Sequence, residues 1–133
     1  MALTVVDAGV VIAIPDAADA HHGSAVRALR EALGSGEILV LPASAYSELL
    51  VAPFRHNGQS VAVVDAFVDS IPAAVQPITR EIARAAAQLR AQHGSRLRLP
   101  DALVIATALE LSADRLLTTD RRWPHVGISV AAV

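Results

Sequence analysis

The sequence predicts an α/β fold in which helices cover both faces of a mainly parallel sheet. Short apolar segments, several rich in β-branched residues, alternate with longer segments that carry apolar residues at helical spacing. At 133 residues the chain has the length of one compact domain, and no repeat, linker or low-complexity tract divides it. We therefore expect a single domain over residues 1–133, built from right-handed βαβ units.

The first part of the chain is predicted to form two strands and two helices. Residues 3–6 form an apolar run that suits a buried strand, and residues 8–14 continue as a short helix that Pro15 stops. A helix over 20–33 ends at a Gly-Ser-Gly turn, and residues 38–41 supply the second strand.

The rest of the chain continues the alternation. The predicted elements are a helix from Pro42 to about residue 52, a helix over 58–70 with Val61, Val64 and Phe67 as its core face, an extended piece over 75–78, a helix from Thr79 to near Gly94, a helix over 101–111, a strand over 115–118 and a strand over 128–130. Thr79 suits an N-cap, and Pro100 suits the first turn of a helix.

Composition excludes several classes of function. Without cysteine the chain has no disulfide, no thiolate nucleophile and no sulfur-bound zinc. Its net charge of -2 gives no general attraction to nucleic acid or anionic membrane, although all 11 basic residues are arginines, which suit phosphate. No segment approaches the roughly 20 apolar residues of a membrane span, and the start lacks a basic signal region, so we expect a cytoplasmic protein. A hydrophobic fraction of 53% also suggests apolar surface kept for a partner.

Four acidic residues are candidates for one site: Asp7, Glu48, Asp101 and Asp120. Asp7 and Asp120 lie just past the ends of predicted strands, and ligands of open parallel sheets bind outside the carboxyl ends of the strands. Glu48 has helical spacing with apolar neighbours, which predicts that it faces the sheet, where an unpaired glutamate is costly.

Each of these acids also has a purely structural alternative. Asp7 or Asp120 could cap a helix or turn, and Asp101 could complement a helix dipole. Several carboxylates in one pocket repel each other unless a cation neutralises them, which indicates Mg²⁺ or Mn²⁺. Because a metal-bound water can attack a phosphodiester, the residues predict metal-assisted phosphodiester hydrolysis. The remaining acids, Glu37 among them, are expected on the solvated surface.

Four segments resemble the PIN-domain family, and most closely the VapC-type toxins of bacterial toxin–antitoxin pairs. They are TVVD (4–7), SAYSEL (44–49), LPDALVIATA (99–108) and LTTDRRW (117–123), in the family's order. The resemblance implies a three-layer α/β fold with a mainly parallel sheet of four to five strands. It also implies a Mg²⁺-dependent endoribonuclease, with Mn²⁺ as the alternative ion, that a VapB-type antitoxin holds in check. We expect a homodimer or a larger toxin–antitoxin assembly.

The resemblance assigns a role to each acid. Asp7 and Asp101 would bind the metal directly, while Glu48 and Asp120 would orient metal-bound waters or a second ion. Thr118 stands where the family often has a hydroxyl residue that hydrogen-bonds within the site. Ala8 replaces the serine or threonine that commonly follows the first acid.

Several other residues allow two interpretations. Arg121 and Arg122 could contact RNA phosphates or form a solvated turn, and Trp123 could stack on a base or anchor a C-terminal loop. The histidines near the second helix and in a loop, His21, His22 and His56, are expected on the surface.

The absence of lysine argues against receiver domains, dehalogenase-like phosphatases and P-loop proteins, whose phosphate sites use it. Two alternatives to a toxin stay open. One is a housekeeping RNA-processing nuclease, and the other is a PIN module that binds RNA or protein without catalysis.

Overall fold

The computed structural model describes residues 1–133 and contains five strands and six α-helices. The strands are β1 (Leu3–Val6), β2 (Ile38–Pro42), β3 (Ala73–Gln76), β4 (Arg115–Thr118) and β5 (Val130–Ala132). The helices are α1 (Ala8–Ala13), α2 (His22–Gly34), α3 (Ala43–Arg55), α4 (Val61–Ser70), α5 (Arg80–His93) and α6 (Leu99–Glu110), with a 3₁₀ turn at Gly94–Arg96. No helix is long and apolar enough to cross a bilayer.

The strands form one sheet in the order β3-β2-β1-β4-β5, and every neighbouring pair is parallel. The chain first adds strands on one side of β1 and then returns to add β4 and β5 on the other side. The strand order therefore reverses between β1 and β4, which is where parallel sheets place their ligands. The predicted α/β class with a parallel sheet is confirmed.

The central strands are buried on both faces. Thr4, Val5 and Val6 of β1 are at most 2% exposed, and successive strand residues point to opposite faces of the sheet. Both faces must therefore be covered, as expected for a parallel sheet with helices on each side. The core contains 27 buried hydrophobic residues, many of them contributed by α6.

Several predicted boundaries were displaced. The third strand lies at Ala73–Gln76 because Pro77, which has no N–H for the ladder, follows it directly. The last strand lies at Val130–Ala132, where pairing with β4 recruits alanines of low strand propensity. Helix α4 begins at Val61, because Asn57 and Gly58 adopt positive φ and form a turn instead.

The expected core face of α4 is only partly confirmed. Val61, Val64 and Phe67 are half-buried, whereas Val68 is the residue of this helix that is fully buried. Helix α3 also runs past its predicted end to Arg55, with Pro53 inside it. The predicted N-cap is correct, because Thr79 Oγ1 accepts a hydrogen bond from the Ile82 N–H at 3.1 Å.

Three residues expected on the solvated surface instead hold parts of the fold together. Glu37 has a side chain only 12% exposed and binds the Arg115 guanidinium with two contacts of 3.0 Å. His21 Nδ1 lies 2.9 Å from the carbonyl oxygen of Val133, and His22 Nδ1 lies 2.9 Å from that of Ala13. The surface assignment of these three was wrong because each finds a partner that is distant in sequence or outside its own helix.

Candidate active site

Asp7 connects β1 to α1 and is 9% exposed. Its Oδ1 accepts a hydrogen bond from the Ala8 N–H at 2.8 Å, and its Oδ2 accepts one from Thr118 Oγ1 at 2.8 Å. Its own N–H donates to the Leu117 carbonyl oxygen at 2.9 Å. Asp7 therefore caps α1 and is fixed against β4 at the same time, so the two interpretations of this residue are compatible.

The pKa of Asp7 lies above its ordinary value. Burial is the largest cause, and the negative charges of Asp101 and Asp120 raise it further, against the lowering effect of the hydrogen bonds from Thr118 and Ala8. The folded chain therefore disfavours the ionised form of Asp7 in the absence of a cation.

Asp101 lies in the first turn of α6, directly after Pro100, and is half-buried. Burial and the charge of Asp120 raise its pKa, while the charge of Arg98 and the indole N–H of Trp123 oppose the rise. Asp101 is therefore close enough to Asp120 and Asp7 to feel their charges.

Glu48 does not face the sheet. Ala45, Leu49 and Pro53 form the buried stripe of α3, and Glu48 lies beside this stripe with an exposed side chain. The prediction of a buried glutamate was wrong, because a residue at the edge of a helical stripe reaches solvent. Partial burial and the charges of Asp7 and Asp101 nevertheless raise its pKa, so Glu48 lies near both of these acids on the solvent-exposed side of α3.

Asp120 differs from the other three acids because it has a cationic partner. Its Oδ1 accepts a hydrogen bond from the Arg122 N–H at 2.8 Å, and both carboxylate oxygens lie 3.3 Å from the Arg122 guanidinium. Burial raises the pKa of Asp120, but the contacts with Arg122 and the charge of Arg98 outweigh it and hold the pKa below its usual value. The Arg122 side chain is 88% exposed, which makes it a weak and replaceable counter-ion.

Thr118 joins the two strand-end acids. While it donates to Asp7, the same hydroxyl oxygen accepts a hydrogen bond from the Asp120 N–H at 3.1 Å. Thr118 is fully buried, so the hydroxyl predicted at this position does hydrogen-bond within the site.

The carboxylate oxygens of these acids are ligands that suit a hard divalent cation. The acids are not arranged as a closed cage, since no group of three or more acidic or histidine side chains surrounds a common point. Mg²⁺ needs no such cage, because it keeps several waters and uses one or two carboxylates. Three of the four acids have raised pKa values and all donors are oxygens, which is the chemistry that Mg²⁺ or Mn²⁺ would satisfy.

A cavity of about 430 Å³ has two of the four acids in its lining. Its lining consists of Ser95, Arg96, Arg98, Asp101, Asp120, Arg122 and Trp123. Sequence reasoning missed Arg96 and Arg98, although their position just before the helix that carries Asp101 was a usable signal. Arg98 lowers the pKa of Glu48, Asp101 and Asp120, which places its charge close to all three. Arg121 is exposed and does not line this cavity.

Several solved structures with the same fold contain VapC or VapBC proteins. VapC20 of Mycobacterium tuberculosis, a toxin that cleaves the sarcin–ricin loop, is 22% identical with a TM-score of 0.66, covering 85% of this chain and 86% of its own. VapBC2 of Rickettsia felis, bound to a promoter DNA fragment, has a TM-score of 0.74 at 12% identity and covers 98% of both chains. VapBC-1 of nontypeable Haemophilus influenzae has a TM-score of 0.71 at 16% identity, covering 98% of this chain and 97% of its own.

No curated protein sequence matches the chain significantly. The family model described as PIN domain matches residues 4–129, a range that contains all four acids, all of β2, β3 and β4, and β1 from its second residue onward, and that ends just before β5. On this match, the chain belongs to the PIN domain family.

Proposed function

We propose that this protein is a metal-dependent endoribonuclease and the toxin of a VapBC-type toxin–antitoxin pair. The observation that carries the proposal is that Asp7, Glu48 and Asp101, near the strand-order reversal of a PIN domain, have pKa values raised by burial and by the charges of neighbouring acids. The fold shared with VapC20, which cleaves the sarcin–ricin loop, supports RNA as the substrate class. We also propose that residues 1–133 act as one domain.

In this proposal Asp7 and Asp101 hold Mg²⁺ or Mn²⁺ directly, and Glu48 and Asp120 orient its water ligands. Such an ion, when bound, supplies a more acidic water and stabilises the charge that develops on a phosphodiester. Thr118 keeps the Asp7 carboxylate in place through its hydroxyl.

Arginines of the adjoining cavity bind the RNA backbone in this proposal. Arg96 and Arg98 line the cavity beside Asp101, and a guanidinium matches the geometry of a phosphate. Arg122, whose exposed guanidinium pairs with Asp120 in the same cavity, would be a third phosphate-binding arginine. Local arginines thus give the affinity that a net charge of -2 does not.

The proposed partner is a VapB-type antitoxin, within a homodimer or larger toxin–antitoxin assembly. Structures of the same fold include VapBC complexes. Exposed apolar side chains on α3 and α4 provide contact area, with Val51 43%, Phe54 63% and Val63 69% exposed.

The catalytic proposal is tested with purified protein and RNA. We expect cleavage with Mg²⁺ or Mn²⁺, no cleavage in EDTA, and a loss of about 100-fold or more in Asp7→Asn and Asp101→Asn, because partners of metal ligands alone contribute about 10–100-fold. Glu110→Gln is the matched control: it removes one charge from the exposed end of α6 and retains activity. Equal cleavage by both aspartate variants would identify a contaminating nuclease and refute the assignment.

The toxin assignment needs a separate experiment. Induced expression of the wild-type chain arrests growth, expression of Asp7→Asn does not, and a small neighbouring gene restores growth. An active but harmless wild-type chain favours the housekeeping nuclease. Absence of cleavage under every metal condition favours the non-catalytic module.

A further inference from the structure

Trp123 is the only tryptophan of the chain, and its indole nitrogen is buried without a hydrogen-bond partner. The ring packs against the hydrophobic core, so the side chain as a whole is only partly exposed. An indole N–H can only donate, and burying it unpaired is costly. Anchoring a loop would explain the packing of the ring but not the unpaired N–H.

The Asp101 carboxylate, in turn, lacks a hydrogen-bond donor. Asp7 is fixed by hydrogen bonds from Ala8 and Thr118, and Asp120 by those from Arg122, but no regular hydrogen bond fixes the carboxylate of Asp101. Asp101 is nonetheless one of the two acids proposed to bind the metal directly. The hydrogen bonds of the fold therefore do not fix the orientation of the Asp101 carboxylate.

The unpaired donor and the unpaired acceptor lie in the same part of the site. Trp123 and Asp101 line the same cavity, and the indole N–H lowers the pKa of Asp101, as a donor close to the carboxylate does. The contact falls short of a regular hydrogen bond in geometry.

We propose that Trp123 is the positioning residue of Asp101: its indole N–H donates to the carboxylate and holds it in the orientation in which it ligates a divalent cation. The inference rests on the proposed function, because it concerns a ligand of the proposed metal site. Donors behind metal ligands orient them and typically contribute about 10–100-fold to metal affinity or activity. The rigid ring, held by the core, suits this task because it has few alternative orientations.

A single resonance tests the pairing directly. Since the chain has one tryptophan, ¹⁵N-labelled protein gives one indole N–H signal. We expect this signal to shift in Asp101→Asn and on addition of Mg²⁺ to the wild type. Glu110→Gln, which removes a charge elsewhere on α6, leaves the signal in place. If the indole signal shifts neither in Asp101→Asn nor on addition of Mg²⁺, the inference is overturned.

A second measurement asks what the pairing does. Trp123→Phe keeps an aromatic ring and removes the N–H, so we expect Mn²⁺ affinity, measured from the electron paramagnetic resonance of free Mn²⁺, to fall about 10-fold or more. A folded Trp123→Phe that melts at a lower temperature but binds Mn²⁺ as tightly as the wild type shows a merely structural role and overturns the inference. If this variant does not fold, the indole signal of the wild type and of Asp101→Asn decides the question.

The two proposals fail separately. A wild-type protein that binds Mn²⁺ and shifts its indole signal but cleaves no RNA supports the Trp123 inference and overturns the ribonuclease. Cleavage that depends on Asp7 and Asp101, with an indole signal indifferent to Asp101→Asn and Mg²⁺, supports the ribonuclease and overturns the inference.

Discussion

Gly9 sets the distance between α1 and the turn that carries Asp120. It follows Asp7 by two residues, and a Cβ added to it would lie 2.3 Å from Thr119 Oγ1 and 3.4 Å from Thr119 Cβ. Thr119 is the residue between Thr118 and Asp120. Any side chain at position 9 therefore collides with the Thr119 side chain, which lies between two residues of the site.

We expect Gly9→Ala to destabilise the protein by roughly 1–3 kcal/mol, the usual effect of overpacking, and to reduce RNA cleavage. Chemical denaturation and a cleavage assay measure the two effects. Gly23→Ala is the matched control, since nothing lies within 4 Å of its added Cβ, and alanine in a helix stabilises by about 0.5 kcal/mol relative to glycine. Identical behaviour of the two variants would show that the Gly9–Thr119 contact is unimportant.

At the scale of elements, a polar cluster joins three strands at their N-terminal ends, which is the end of the sheet opposite the candidate site. Thr4 of β1 donates its hydroxyl to Glu37, which directly precedes β2, and Arg115 of β4 donates to the same carboxylate. The hydrogen bond from Thr4 is the largest influence lowering the pKa of Glu37, and the contacts with Arg115 lower it further. The cluster thus stabilises the strand order through the ionised form of Glu37.

We expect Glu37→Gln to lower the free energy of unfolding at pH 7. A carboxyl group with a lowered folded pKa stabilises above its unfolded pKa, near 4.5 here, and loses that contribution as the pH falls through the folded value. The difference between wild type and Glu37→Gln should therefore shrink below about pH 4.5. Denaturation at both pH values measures it, with the exposed Glu31→Gln of α2 as control. A difference that is constant with pH would assign the effect to shape instead of charge.

At the scale of the whole molecule, negative charges are concentrated at the end of the sheet where the strands have their carboxyl ends. The pKa of Asp7 is raised mainly by burial and further by Asp101 and Asp120, so its ionised form opposes folding of the metal-free chain at neutral pH. The proposed site therefore reduces the stability of the molecule that contains it, until a cation binds.

We expect Asp7→Asn to melt at a higher temperature than the wild type in EDTA at pH 7, because the substitution removes a disfavoured buried charge. Mg²⁺ should raise the melting temperature of the wild type and have less effect on the variant. Asp69→Asn, an exposed position of α4, is the control and should change neither result. A metal-free Asp7→Asn that melts below the wild type would show that its hydrogen bonds outweigh its charge.

The sequence by itself determined the alternation of elements, the parallel α/β class, the Thr79 cap and the strand ends at which Asp7 and Asp120 lie. These features follow from local periodicity and from backbone chemistry within a few residues. Sequence reasoning misplaced the edge strand β5, whose alanines are strand only because β4 lies beside them.

Only the tertiary structure decided which side chains meet. It showed that Glu48 is exposed and does not face the sheet, that Asp120 has an arginine partner, and that Glu37 belongs to a cluster that joins strands. It also brought Arg98 and Trp123 to Asp101. Burial and charge contacts between distant residues depend on strand order and on the rotation of each helix about its axis. A small rotation of a helix exposes a residue that would otherwise be buried at the edge of the apolar stripe.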